Sequence, residues 1–115
     1  RTLNKHQREQ AEKFGVEIYQ MRNLEELSAM TFSNPVYCSI DIDALDPAYA
    51  PGVSHFEPGG LSTRQLIDCI NGFRGRLIGA DIVEYNPERD FHNLTAMVAA
   101  KLLKEVIARI YHDNS

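Results

Sequence analysis

Two apolar runs, each ending in a carboxylate and each followed by chain-breaking residues, constrain this chain more than any other feature. The first is Val36-Tyr37-Cys38-Ser39-Ile40-Asp41-Ile42-Asp43; the second is Leu77 to Val83, followed directly by Glu84. Runs this short, apolar and β-branched fit strands buried on both faces, as in a parallel sheet. From Ala44 to Gly60 the chain carries Pro47, Pro51, Gly52, Pro58, Gly59 and Gly60. No regular element is predicted there. A connection of about 17 residues inside a compact domain is usually functional or disordered. After the second run, Asn86-Pro87 marks a turn before Asp90.

Helical patterns separate these runs. Asn4 to Phe14, rich in Lys, Gln and Glu, is predicted as a helix stopped by Gly15. Val16 to Tyr19 is a further strand candidate. Asn23 with Glu26 three residues on is a capping-box pattern, predicting a short helix from Leu24 to Met30. Ser62 with Gln65 is another, and Leu66, Ile67, Ile70 and Phe73 follow it at helical spacing. From Asn93 or Thr95 to Tyr111, Val98, Leu102, Val106 and Ile110 form an apolar stripe flanked by Met97, Leu103 and Ile107. Alternation of strands and helices implies an α/β fold with right-handed crossovers.

Composition removes several function classes. With 43% hydrophobic and 24% charged residues the chain can build a core. Its 115 residues are one domain at most. A net charge of -4 with scattered Lys and Arg lacks the clustered basic face of a nucleic-acid binder. No apolar run approaches the ~20 residues that span a bilayer. No charged-then-apolar leader opens the chain, and the start at Arg1 suggests sequence missing upstream. Cys38 and Cys69 lie in apolar runs and are expected as buried free thiols in a reducing compartment. His6, His92 and His112 are expected at the surface.

The acids carry the chemistry. On a strand, Asp41 and Asp43 point the same way, about 7 Å apart. Both lie at the carboxyl end, where ligands bind in open α/β sheets. Glu84 occupies the same place on the next strand. Acids so gathered either hold a hard divalent cation with oxygen ligands or simply cap the loop and face water, and spacing leaves both open. An EF-hand starting at Asp41 would need Gly sixth and Glu twelfth; Asp46 and Gly52 stand there instead. The Asp-x-Asp pair of nucleotide-sugar glycosyltransferases is a rival, on a very short match.

Ser39-Ile40-Asp41-Ile42-Asp43-Ala44-Leu45-Asp46-Pro47 resembles the Ser-x-Asp-x-Asp-x-x-Asp-Pro signature of the ureohydrolases, the arginase/agmatinase family. The resemblance continues through Ala48-Tyr49-Ala50-Pro51-Gly52 to Gly59-Gly60-Leu61, Gly79 to Pro87, and the helix Thr95 to Leu102. It implies a three-layer αβα fold with a parallel sheet, residues 1–115 being the C-terminal part of one such domain. It implies that Asp41 bridges two Mn²⁺ ions and that Asp43 ligates one of them. Glu84 would pair with the substrate guanidinium and serve catalysis. Asp46 would fix the turn with Pro47 rather than bind metal. Asp81 would be a buried hydrogen-bonding support.

The loop Gly52-Val53-Ser54-His55-Phe56-Glu57-Pro58-Gly59-Gly60 departs from the Thr-Gly-Thr-Pro form of many animal members and resembles plant-type arginases. Arginase is therefore favoured over agmatinase and other guanidino-acid hydrolases. His55 is a candidate for substrate contact, and an ordinary loop histidine is the alternative. The family's remaining ligands, a His and an Asp-x-His-x-x-x-Asp stretch, do not occur here. The chain alone is thus expected to be inactive, part of a larger homo-oligomeric enzyme, a trimer or hexamer, working in the cytoplasm or an organelle such as the mitochondrion. A non-catalytic assembly module with the same fold is the alternative from another class. A small guanidino molecule is the expected partner, with no nucleic acid or membrane.

Overall fold

The computed structural model describes residues 3–115. The first helix, α1, runs Lys5–Lys13. Asn4 and Gln7 close a reciprocal capping box at its start. Its far end is a Schellman motif around Gly15 at φ 66: Val16 N–H donates to Ala11 O and Gly15 N–H to Glu12 O. None of its residues is buried.

Two elements then depart from expectation. Val16 to Tyr19 forms no strand with any of the described residues. A strand exists only through a neighbour's backbone groups. The Asn23–Glu26 capping box does not form either. Asn23 Nδ2 donates to Glu26 Oε1 (2.6 Å), so the two side chains satisfy each other instead of the helix backbone. Helix α2 is correspondingly short, Leu24–Ser28, and does not reach Met30.

The sheet is β1, Val36–Asp41, beside β2, Leu77–Val83, in parallel. Between them lies α3, Thr63–Gly72, whose Ser62–Gln65 capping box forms as read from the sequence. The register runs Tyr37 with Gly79, Ser39 with Asp81 and Asp41 with Val83, after a bulge at Ile78. The last helix, α4, spans Leu94–Asp113. The core joins Ile40 of β1, Leu77 of β2, Ile67 and Ile70 of α3, and Leu102 and Val106 of α4. The α4 stripe therefore faces inward, whereas Met97, Leu103 and Ile107 at its flanks are exposed.

Only one face of the sheet is covered. Ile40 is 4% exposed, yet Tyr37 on the opposite face is 61% exposed, and Ser39 and Asp41 are also open. The expectation of burial on both faces is corrected here, and so is that for Cys38, which is half-buried; Cys69 is buried. The molecule measures 41 × 40 × 20 Å. Its short dimension fits one sheet and one helix layer, each about 10 Å deep. The third layer of an αβα fold would lie on the bare face.

One side chain ties the end of α3 to α4 and β2. The Arg109 guanidinium donates to the carbonyls of Ile70, Asn71, Phe73 and Gly75, pairs with Asp113, and stacks on the Phe73 ring. Asp113 in turn accepts from Leu77 N–H (3.0 Å), at the start of β2. Both charged side chains are 13% exposed. Arg109→Met should therefore leave Asp113 short of its counter-charge and the carbonyls bare. We expect a loss of about 3 kcal/mol, read from urea unfolding followed by circular dichroism. A change under about 0.5 kcal/mol would contradict this role.

Candidate functional site

The strand that delivers Asp41 ends there. Ile42–Ala44 is a tight 3-10 turn, and Asp41 Oδ1 accepts from Asp43 N–H (3.1 Å) as its cap. Asp43 is thus not a strand residue, as the spacing argument supposed. The two carboxylates meet because the backbone folds back on the Asp41 side chain, driven by the buried Ile42 and Leu45 on either side of the turn.

Asp41 is open on the bare sheet face but partly desolvated by its neighbours. That desolvation raises its carboxyl pKa. The Asp43 N–H bond pulls it back, and the Asp43 and Glu84 carboxylates push it up again; the net shift is upward. The three acids therefore share one electrostatic neighbourhood. Asp41 does cap a turn, so the bland reading of it is true as far as it goes. Among the described residues, no group of three or more His, Cys, Asp or Glu side chains is arranged to hold a metal by itself. An apolar cavity of about 440 Å³ runs along β1, lined by Leu27, Met30, Phe32, Leu66 and Phe73. It touches Asp41 but neither Asp43 nor Glu84.

Glu84 follows β2 with its backbone in the left-handed region, φ 66. A non-glycine residue there is strained and is held by its surroundings. The holding contacts are visible: Tyr85 bridges Val53 antiparallel, and Asn86 N–H donates to Gly52 O (2.9 Å). The breaker-rich loop is thus laced to the residues just after Glu84.

That loop is ordered. Asp46 Oδ1 accepts from Ala48 N–H and Oδ2 from Gly59 N–H, and Asp46 N–H donates to Leu61 O. The turn-fixing part expected of Asp46 is what its contacts provide. Ala50 and Val53 are buried. Gly52 is enclosed: its N–H donates to Thr95 Oγ1 (2.7 Å), and a Cβ there would meet Asp90 Cβ at 2.8 Å. His55 is exposed on the same loop, next to Ser54, whose hydroxyl and carbonyl accept from Asn86 Nδ2 and Arg89 Nη1. Asp81 lies half-buried on the bare face, not beneath Glu84. It accepts from Ser39 and Tyr37 hydroxyls, which hold its carboxyl below the usual range. His6, His92 and His112 are exposed, as expected.

The sequence placed Asn86 at a turn and Thr95 at a helix start but gave no contacts to Arg89, Asp90 or Thr95. Asp90 Oδ1 and Oδ2 accept from Thr95 and Ala96 N–H, capping α4 from five and six residues away. No short-spacing capping pattern announces such a contact. Asn86 did carry a signal: Asn before Pro favours an Asx turn, here to Glu88 N–H.

Comparison with known proteins gives this arrangement a family. A model of the Arginase family matches residues 1–108. The chain belongs to the arginase family. Among curated relatives, "Arginase 2, chloroplastic/mitochondrial" of Arabidopsis thaliana is 50% identical over 96% of this chain and 34% of its own length. An agmatinase of Bacillus cereus is 36% identical over 90% of this chain and 38% of its own. Among solved structures, the arginase from Medicago truncatula superposes with a TM-score of 0.88 at 44% identity, over 96% of this chain and 37% of that one. A triple mutant of a T. brucei arginase-like protein, bound with Mn²⁺, gives 0.84 at 34% identity, over 96% and 41%. The fold is thus arginase-like, and the chain spans about a third of the length of the curated relatives it matches. No helix among its described residues is long and apolar enough to cross a membrane.

Two outcomes test this geometry. Replacing Glu84 by Gly should relieve the left-handed strain and stabilise the chain by about 1 kcal/mol, whereas Glu84→Ala should not. Equal unfolding midpoints for the two variants would show that the backbone there is relaxed. Asp46 tests the loop. The Ala48 and then the Gly59 N–H bonds hold its carboxyl pKa low. Its stabilising share is complete above the unfolded carboxyl value, about 3.9, and is lost as pH falls through the lower folded value. The stability gap between the native chain and Asp46→Asn, measured by denaturant titration, should therefore be full near neutrality and shrink only in strong acid.

Proposed function

We propose that residues 1–115 are the C-terminal part of a single ureohydrolase domain that hydrolyses L-arginine to ornithine and urea with two Mn²⁺ ions. The observation that carries the reading is that Asp41 and Glu84 lie at the carboxyl ends of two adjacent parallel strands, in register through Asp41 and Val83, with Asp43 on the turn that Asp41 caps. Residues without a task do not usually hold mutual repulsion and backbone strain together.

The donors fit the metal in kind. Asp41 and Asp43 offer hard carboxylate oxygens of the kind a hard dication takes, side by side at the 3-10 turn. They are too few to complete the site, so the remaining ligands come from outside this segment. A bound ion pair supplies Lewis acidity that makes water a nucleophile near neutral pH. In support stands the T. brucei relative solved with Mn²⁺.

The chain's own residues do the rest. Glu84 accepts charge-assisted hydrogen bonds from the guanidinium and orients its carbon toward the attacked side. Its charge favours a cationic substrate over neutral analogues. His55, on the neighbouring loop, contacts the substrate's other end. Arginine is favoured over agmatine by the form of the Gly52–Gly60 loop and by the nearer identity to plant arginases. The working enzyme is a homo-oligomer, a trimer or hexamer, that meets a small guanidino substrate and neither nucleic acid nor membrane. Its compartment is the cytoplasm or an organelle, the plant relatives' names favouring the latter.

The test is a chimera in which this segment replaces its counterpart in the Medicago truncatula arginase. We expect Mn²⁺-dependent urea release from arginine, little from agmatine, and none from the isolated segment. Asp41→Asn in the chimera should lower kcat/KM by at least about 100-fold. A folded, Mn²⁺-loaded chimera inactive on every guanidino substrate would sink the proposal.

A further inference from the structure

We propose that Arg89, assisted by Asn86, is a positioning residue that clamps the His55 loop to the segment bearing Glu84, so that the grip on the guanidinium and the contact with the substrate's tail are set together. The inference rests on the reading above and extends it to residues that contact no substrate themselves.

The geometry is a short closed circuit. Tyr85 and Val53 bridge antiparallel, so the next step along the loop, Ser54, lies toward Glu84. Asn86 acts at both ends of its amide: Oδ1 accepts from Glu88 N–H (3.1 Å) and Nδ2 donates to Ser54 Oγ (3.0 Å). Arg89 Nη1 donates to Ser54 O (3.0 Å). Ser54 is thereby held at its hydroxyl and its carbonyl, immediately before His55. The clamping residues are themselves fixed. Asn86 caps the 3-10 turn Pro87–Arg89, and the next residue, Asp90, accepts from the first-turn N–H groups of α4.

The chemistry suits a clamp. A guanidinium presents its donors in a rigid plane, and a charged donor to a carbonyl is stronger than a neutral one. Arg89 is exposed, so truncating it costs the fold little. What it changes is where His55 sits, and small displacements of positioning groups have large effects on binding. Lysine at this position would keep the charge and one donor but lose the plane.

The experiment uses the Mn²⁺-loaded chimera with Arg89→Met and Arg89→Lys. Hydrogen exchange measured by mass spectrometry over residues 52–58 should quicken in Arg89→Met, with β1 and β2 unchanged. KM for arginine should rise roughly tenfold with kcat within about twofold, the pattern of lost uniform binding. Arg89→Lys should recover part of both. Unaltered exchange over 52–58, or a fall in kcat at constant KM, overturns the clamp. If the unmutated chimera releases no urea, the ureohydrolase reading falls and takes the substrate half of this proposal with it. Exchange over 52–58 then decides the clamp by itself: faster in Arg89→Met upholds it, unchanged refutes it.

Discussion

The buried hydroxyl of Thr95 joins three parts of the molecule that are distant in sequence. It is the one buried polar side chain among the described residues. Its Oγ1 takes the N–H of Gly52, from the loop after β1, while its own N–H goes to Asp90, from the turn after β2. A buried donor or acceptor left unpaired costs about 1–3 kcal/mol, so this node has few alternative arrangements. Only glycine fits at position 52, because a Cβ would strike Asp90 and Thr95 together. From this node the loop runs back to Asp46 and forward to Ser54, and the turn runs back to Glu84. The loop after β1 and the turn after β2 are thus both anchored to the first turn of α4, through Gly52 and Asp90.

The open sheet face shows how a partial fold manages incomplete coverage. Tyr37, Ser39 and Asp81 form a satisfied polar cluster there, with both hydroxyls donating to one carboxylate. On the same strand pair, Ile78 and Val83 are exposed apolar side chains. The radius of gyration, 14.7 Å, exceeds the roughly 13 Å of a compact domain of this length. Both facts describe a slab cut from a thicker body. They agree with relatives about three times as long as the matched segment.

Much of this was legible in the sequence wherever local chemistry decides the outcome. The Ser62–Gln65 box, the second strand run and the inward stripe of α4 depend on neighbours within a few residues and formed as read; the first run formed a strand that ends at Asp41, two residues short. Reading failed where the outcome depends on a partner far away. Val16 to Tyr19 has strand composition but no strand beside it. Tyr37 and Ser39 belong to a run that looked buried twice, and one covering layer lies outside this segment. Asn23 and Glu26 had the spacing of a capping box, but two long polar side chains can satisfy each other as readily as the backbone. Asp41 and Asp43 are neighbours for a different reason than strand alternation: a 3-10 turn brings them together. Thr95, Asp90 and Arg89 were passed over because their contacts span from five to more than forty residues.

The placement of strain also argues for what the rim is built to do. Glu84 sits at positive φ, and contacts made one and two residues downstream, at Tyr85 and Asn86, hold the segment that follows it. A glycine would adopt that conformation without strain, so the glutamate there carries a conformational cost. Asp41 is unfavourable in another way: desolvation raises its carboxyl pKa first, and the nearby Asp43 and Glu84 carboxylates add to that. Each feature alone is tolerable in an ordinary protein. Their coincidence at the carboxyl ends of two adjacent parallel strands, backed by a loop pinned at Asp46, Gly52 and Ser54, falls at the edge where open α/β sheets bind ligands.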